Sequence, residues 1–125
     1  MHRAAQAADE VFSREVGSFT PRQYAVMICV GAADDVSQKD IVDRTGIDRS
    51  TVSEMIARLV KARLLQRRRN KDDTRAYDVQ LTAAGREALS VAEGKVRRAE
   101  AFVLSGLRAD RRDAFLERLA LICRR

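Results

Sequence analysis

The chain has 125 residues with 24 Lys+Arg against 18 Asp+Glu, a net charge of +6, one His, two Cys, one Pro and no Trp. Its length and 46% hydrophobic content suit one domain with a modest core and exclude wholesale disorder, and so small a core leaves room for help from a partner subunit. Widely separated Cys29 and Cys123 with a lone His2 exclude a zinc cluster, a disulfide scaffold and histidine-based catalysis; no apolar run is long enough for a bilayer or a secretion signal, so a cytoplasmic protein with no enzymatic centre, cofactor or metal is expected.

The charge is uneven. Residues 1–36 carry −2, residues 37–75 carry +5 and residues 76–125 carry +3, with Arg63, Arg67, Arg68, Arg69, Lys71 and Arg75 crowded together. A basic balance favours polyanionic partners, although any such run can be a plain solvated face.

In chain order, Ala5, Ala8, Phe12 and Val16 stand at helical spacing over 4–16, and Gly17 and Thr20-Pro21 stop one helix and start another. Tyr24, Met27, Ile28 and Gly31 continue a helix that is apolar on most sides, as a central core helix is. Ser37-x-x-Asp40 predicts a capped third helix, closed by Gly46. Asp48 caps the next, over 49–62, in which Val52, Met55, Ile56, Leu59 and Val60 form a core-facing stripe. Its opposite face carries Arg49, Ser50, Ser53, Ala57 and Arg58. A short helix, a tight Gly turn and a longer amphipathic helix with small polar and basic residues on its free face make a helix-turn-helix pattern, whose second helix meets base edges through its N-terminal part.

Leu64–Arg69 and Ala76–Leu81 read as two strands around the basic turn 70–75, a hairpin that forms a wing on the helix-turn-helix. Thr82 starts a long helix to about Ser105, with Leu89, Ala92, Val96, Ala99 and Val103 spaced as a coiled-coil-like seam. After Gly106, Asp110 is expected to cap a last helix with an apolar side of Phe115, Leu116, Leu119, Ala120 and Cys123.

Several side chains have alternative uses at this level. Arg67, Arg69 and Lys71 suit phosphate contact by displacing condensed counterions, whereas Arg68, on the opposite side of the strand, is the more structural of the run. Ser50, Thr51 and Ser53 let a backbone approach closely, but Thr51 can serve the helix cap instead. Glu54 can accept from a cytosine amino group or pair with Arg58 one turn on. Cys29 in the apolar helix reads as a buried structural thiol.

The chain resembles the MarR family of bacterial winged-helix transcription regulators over roughly 19–90. The resemblance rests on Phe19-Thr20-Pro21-Arg22-Gln23-Tyr24-Ala25-Val26-Met27, the helix pair from Ser37 to Lys61, and Asp72-Asp73-Thr74-Arg75 followed by Leu81-Thr82-x-x-Gly85. It implies a mainly α fold with a small β-hairpin wing: a single MarR-like domain over 1–125, a winged-helix DNA-binding lobe over 20–82, and helical dimerisation regions at 1–19 and 83–125. By position it places Arg49, Ser50, Thr51, Ser53 and Glu54 at the base-reading surface, Arg75 in a minor groove, and Asp73 as the wing residue that holds Arg75 by a salt bridge. It further implies a homodimeric repressor on double-stranded DNA, reading a pseudo-palindromic operator. It also allows a small-molecule effector. The alternative is a winged helix used for protein interaction without specific DNA binding. Two departures from the family pattern bear on this. Arg63 stands where members usually have a glycine, so a different exit from the second helix of the pair is expected. The late start of the first helix shortens the region that often forms an effector pocket.

Overall fold

The computed structural model describes residues 1–72 and 76–124. Among the described residues, six α-helices and a three-stranded antiparallel sheet follow in the order α1 (His2–Val16), α2 (Pro21–Gly31), β1 (Val36–Ser37), α3 (Gln38–Thr45), α4 (Arg49–Lys61), β2 (Leu65–Arg69), β3 (Tyr77–Leu81), α5 (Ala83–Val103) and α6 (Ala109–Cys123).

The helix starts are set by short side-chain caps. Thr20 accepts the Gln23 N–H while the Gln23 side chain accepts the Thr20 N–H, and Pro21 fills the first position of α2, where no backbone donor is needed. Ser37 and Asp40 form the same reciprocal pair at α3. Gly46, at φ +71°, ends α3 in the left-handed conformation that glycine adopts without a Cβ penalty.

The core gathers the inward stripes of these helices against one face of the sheet. Met27, Ile41, Leu65, Val16, Val26, Val30, Val36 and Val52 are fully buried, and Phe19, Cys29, Ile56, Leu59, Val79 and Leu89 pack with them. The sheet order is β1-β3-β2. Val36 lies opposite Val79, and Leu65 opposite Leu81, so the residues that seal the sheet to the helices are cross-strand partners. The hairpin of β2 and β3 was legible in the sequence; β1 was not. Two residues of strand, one of them also a helix cap, leave no alternating pattern to detect.

The exit from α4 departs from the expectation. Arg63 adopts the left-handed conformation that glycine favours, at φ +63°. The geometry is held by a Schellman closure: the Arg63 N–H donates to the Val60 carbonyl at 2.9 Å and the Leu64 N–H to the Leu59 carbonyl at 3.0 Å. Left-handed backbone costs a residue with a Cβ about 1 kcal/mol, so Arg63→Gly is expected to stabilise the fold by roughly that amount. Urea unfolding checks this, and a destabilised variant would show that the Arg63 side chain contributes more than its backbone costs.

Two further expectations change. Asp110 does not cap α6: Arg108 is the cap residue, without a side-chain cap bond, and Asp110 sits inside the first turn, accepting from the Arg108 guanidinium at 2.8 and 3.2 Å. The seam on α5 is used mainly within the chain, because α1 lies along α5. Leu89, Ala92 and Ala99 are buried, Val96 is partly buried against the core, and Val103 is left exposed. Arg14 of α1 reaches across to stand 5.3 Å from the Phe102 ring. By contrast, α6 buries none of its described residues.

Candidate nucleic-acid interface

The N-terminus of α4 is built by one carboxylate. Asp48 accepts the Thr51 N–H at 2.9 Å, the Thr51 hydroxyl at 2.6 Å and the Ser50 hydroxyl at 2.8 Å. The Thr51 hydroxyl, its N–H and the Ser50 hydroxyl, in that order, hold the Asp48 carboxyl down to about 2. A depressed folded-state value means that the cap is fully formed above the ordinary carboxylate range and is lost only as pH falls through about 2. The Thr51 amide resonance is therefore expected to stay unchanged between about pH 5 and 3.5, around the ordinary Asp value of about 3.9. A titration midpoint near that ordinary value would show that Asp48 does not hold these hydrogen bonds in solution.

These bonds divide the sequence-derived residues into groups. Thr51 takes the capping role that competed with base contact, and Ser50 donates to the same carboxylate while remaining exposed. Glu54 accepts from Arg58 at 2.7 Å, the helical ion pair that was its alternative use. Thr51 and Glu54 lie on the flank of α4 turned toward Thr20 and Gln23 at the start of α2. Arg49 and Ser53 lie on the other flank, where α4 faces the sheet across an open groove of about 410 Å³.

Arg67 lines the far side of that groove. The strand register explains why: Arg67 is opposite Val79 and Arg69 opposite Tyr77, on the sheet face that carries Leu65, whereas Arg68 is opposite Asp78 on the outer face. Arg67 and Arg69 thus share the side of α4, and Arg68 does not. Lys71 is exposed in the turn after β2, beside Asp72, whose N–H donates to the Asn70 side chain. Asp73 and Arg75 lie outside the described residues. Among the described residues, no acidic side chain forms an ion pair with Arg49, Arg67, Arg69 or Lys71.

Sequence reasoning missed the third wall of the groove. Ser37 at the end of β1, Gln38 and Lys39 of α3 and Tyr77 of β3 line it with Arg49 and Arg67. Gln38 donates to the Arg49 carbonyl at 3.2 Å and so ties the start of α3 to the start of α4. The Ser37 cap located the beginning of α3, but only the pairing of β1 with β3 turns that beginning toward the wing. Tyr77 is 52% exposed at the groove edge.

Cys29 is buried as expected. Burial pushes its thiol up, partly offset by the charge and hydrogen bond of Arg44, which leaves little thiolate at neutral pH. Cys123 is exposed on α6. Among the described residues, no group of three or more His, Cys, Asp or Glu side chains is placed to hold a metal, and no helix is long and apolar enough to cross a membrane.

A helix pair joined by a glycine turn, followed by a two-stranded wing whose basic face looks onto the second helix, defines a winged helix-turn-helix. A sequence profile of the MarR family matches residues 18–76. The solved structure of the transcriptional repressor CouR bound to a 23-mer DNA duplex is 32% identical, with a TM-score of 0.92 over 98% of this chain and 89% of that one. The PcaV transcriptional regulator from Streptomyces coelicolor, in complex with its natural ligand, is 28% identical with a TM-score of 0.91, over 98% of this chain and 87% of that one. Among curated proteins, the uncharacterized HTH-type transcriptional regulator YdgJ of Bacillus subtilis is 30% identical over 88 residues, 70% of this chain. The match spans about half of that relative's length, 54%. The chain belongs to the MarR family.

Proposed function

We propose that the protein is a sequence-specific, double-stranded-DNA-binding transcriptional regulator that acts as a homodimeric repressor. The observation that supports this best is the groove in which Arg49 and Ser53 of α4 face Arg67 of the wing, with no described acidic partner to neutralise the arginines. An exposed helix N-terminal segment with an Arg and a small hydroxyl residue suits entry into a major groove, which is about 12 Å wide. Arg67, Arg69 and Lys71 then follow the flanking phosphates, and Arg75, held by Asp73, enters the adjacent minor groove. Ser50, Thr51 and Glu54 stand beside this contact, with Thr51 chiefly serving the helix start.

The homodimer is supported by the apolar side chains left open on α5 and α6: Phe102 is 58% exposed and Leu121 63%, with Val103, Phe115, Leu119 and Ile122 also exposed. A two-fold assembly through the regions 1–19 and 83–125 would cover them and present two lobes, each 20–82, to successive major grooves about 34–36 Å apart. The ligand-bound state of PcaV supports a small-molecule effector for this chain too.

Titration of the purified protein against its own upstream DNA and against a scrambled duplex, at several salt concentrations, tests the proposal. Preference for the upstream sequence by about a thousandfold or more is expected. Equal affinity for both removes the specific regulator, and no binding at low salt favours the protein-interaction module.

A further inference from the structure

We propose that Thr82 is the joint that sets the position of α4 relative to α5, and therefore a positioning residue for DNA recognition that acts through the backbone of Arg63; this rests on the DNA-binding reading above. Thr82 lies at the start of α5, nineteen residues from Arg63 in sequence. Its hydroxyl donates to the Arg63 carbonyl at 2.6 Å and at the same time accepts the Gly85 N–H at 2.9 Å. Its own N–H donates to the Leu64 carbonyl at 3.1 Å. Only a hydroxyl can fill both of those side-chain roles with one atom.

Two independent features show that the contact is tight and directional. Arg63 is the one non-glycine residue at positive φ among those described, so the chain accepts strain where α5 grips the exit of α4. A Cβ built on Gly85 would overlap the Leu64 carbonyl oxygen, so the first turn of α5 rests against that backbone without a side chain between them. The two helices are thereby joined through main-chain groups rather than through adaptable side chains.

The consequence is leverage. Arg49 lies at the opposite end of α4, about 20 Å from Arg63 at 1.5 Å per residue, so a 10° change at the joint moves it by about 3.5 Å. That displacement is enough to break a bidentate contact with a base edge, whereas phosphate contacts made by mobile surface cations adapt. The joint therefore controls discrimination between sequences more than attachment to DNA as such. At its far end α5 carries the exposed Phe102 and Val103, so a shift of α5 there reaches α4 through this contact.

The test compares the full chain carrying Thr82→Ser, Thr82→Asp or Thr82→Val with the wild type. Each is titrated against a duplex selected by the wild type from a random pool and against a scrambled duplex. Serine keeps both hydrogen bonds and is expected to bind within about twofold of wild type. Aspartate still accepts the Gly85 N–H and caps α5, but it leaves the Arg63 carbonyl without its donor, so its melting midpoint is expected to fall between those of wild type and the valine variant. It cannot donate to Arg63, and its preference for the selected duplex is expected to fall about tenfold. Valine is expected to lose both preference and some stability. Aspartate with a wild-type preference overturns the joint, and so does serine with as large a loss as aspartate. A wild type that binds both duplexes equally removes the DNA reading and this role with it, whereas a wild type and an aspartate variant that discriminate equally remove the role of Thr82 alone.

Discussion

Replacing Gly85 with alanine is expected to lower stability by about 3 kcal/mol, the upper part of the range for forcing atoms into a packed site. For a chain of this length that corresponds to a fall in the melting midpoint on the order of 10 °C. Alanine is the better helix former by about 1 kcal/mol, so local propensity alone predicts the opposite sign. Sterics decide the matter here because a new Cβ would overlap a backbone oxygen, that of Leu64, which cannot swing aside as the tip of a side chain would. Leu64 is held by its N–H on Leu59 and by the Thr82 N–H on its carbonyl, so relief requires α5 to move from the end of α4. Calorimetry of the wild type and Gly85→Ala measures this, and an unchanged or raised midpoint would show that the contact between α5 and Leu64 is looser than described. By comparison, Gly94, midway along α5, has nothing within 4 Å of an added Cβ, and Gly94→Ala is expected to stabilise slightly.

Reversing the charge at Arg49 and Arg67 together is expected to reduce affinity for the preferred duplex more than a hundredfold while leaving the melting midpoint within a few degrees. Both side chains are exposed, and neither forms an ion pair among the described residues, so the fold loses little. A base-contacting arginine contributes about 1–3 kcal/mol, and the log–log salt slope falls by about 0.9 for every phosphate the protein no longer neutralises. The two single variants separate these roles. Arg49→Ala is expected to relax sequence preference with the salt slope nearly kept, and Arg67→Ala to weaken binding to all duplexes and flatten the slope. The opposite pattern would exchange the two assignments. Arg68→Ala, opposite Asp78 on the outer face of the sheet, is expected to change neither quantity appreciably.

What the sequence revealed was mostly local. Thr20, Ser37, Asp48 and Thr82 each announce a helix start through a hydrogen bond spanning three residues, and each does so in the structure. Alternation placed Arg67 and Arg69 on one side of β2 and Arg68 on the other, which the register bears out. What stayed hidden depends on distant partners. The strand at Val36 exists only because Val79 lies beside it, and with it came the unforeseen wall of Ser37, Gln38 and Lys39. Arg63 was expected to avoid a left-handed backbone on intrinsic cost, yet two Schellman bonds and the Thr82 hydroxyl hold it there. Asp110 looked like a cap because acidic residues favour helix starts, but the cap position falls two residues earlier, at Arg108, and the carboxylate answers the Arg108 guanidinium instead. The wing-tip roles of Asp73 and Arg75 rest on the family resemblance.

Hydroxyl-radical footprinting on the preferred duplex tests the central claim most directly. Two lobes of a homodimer, each inserting α4 into a major groove beside a wing, are expected to protect two equivalent patches whose centres lie about one helical turn, 10–10.5 base pairs, apart. The Arg49→Glu, Arg67→Glu protein should leave that duplex unprotected at the same concentration. Protection of a single patch, or uniform cleavage at concentrations where the protein is bound, would contradict sequence recognition by a two-fold pair of α4 helices.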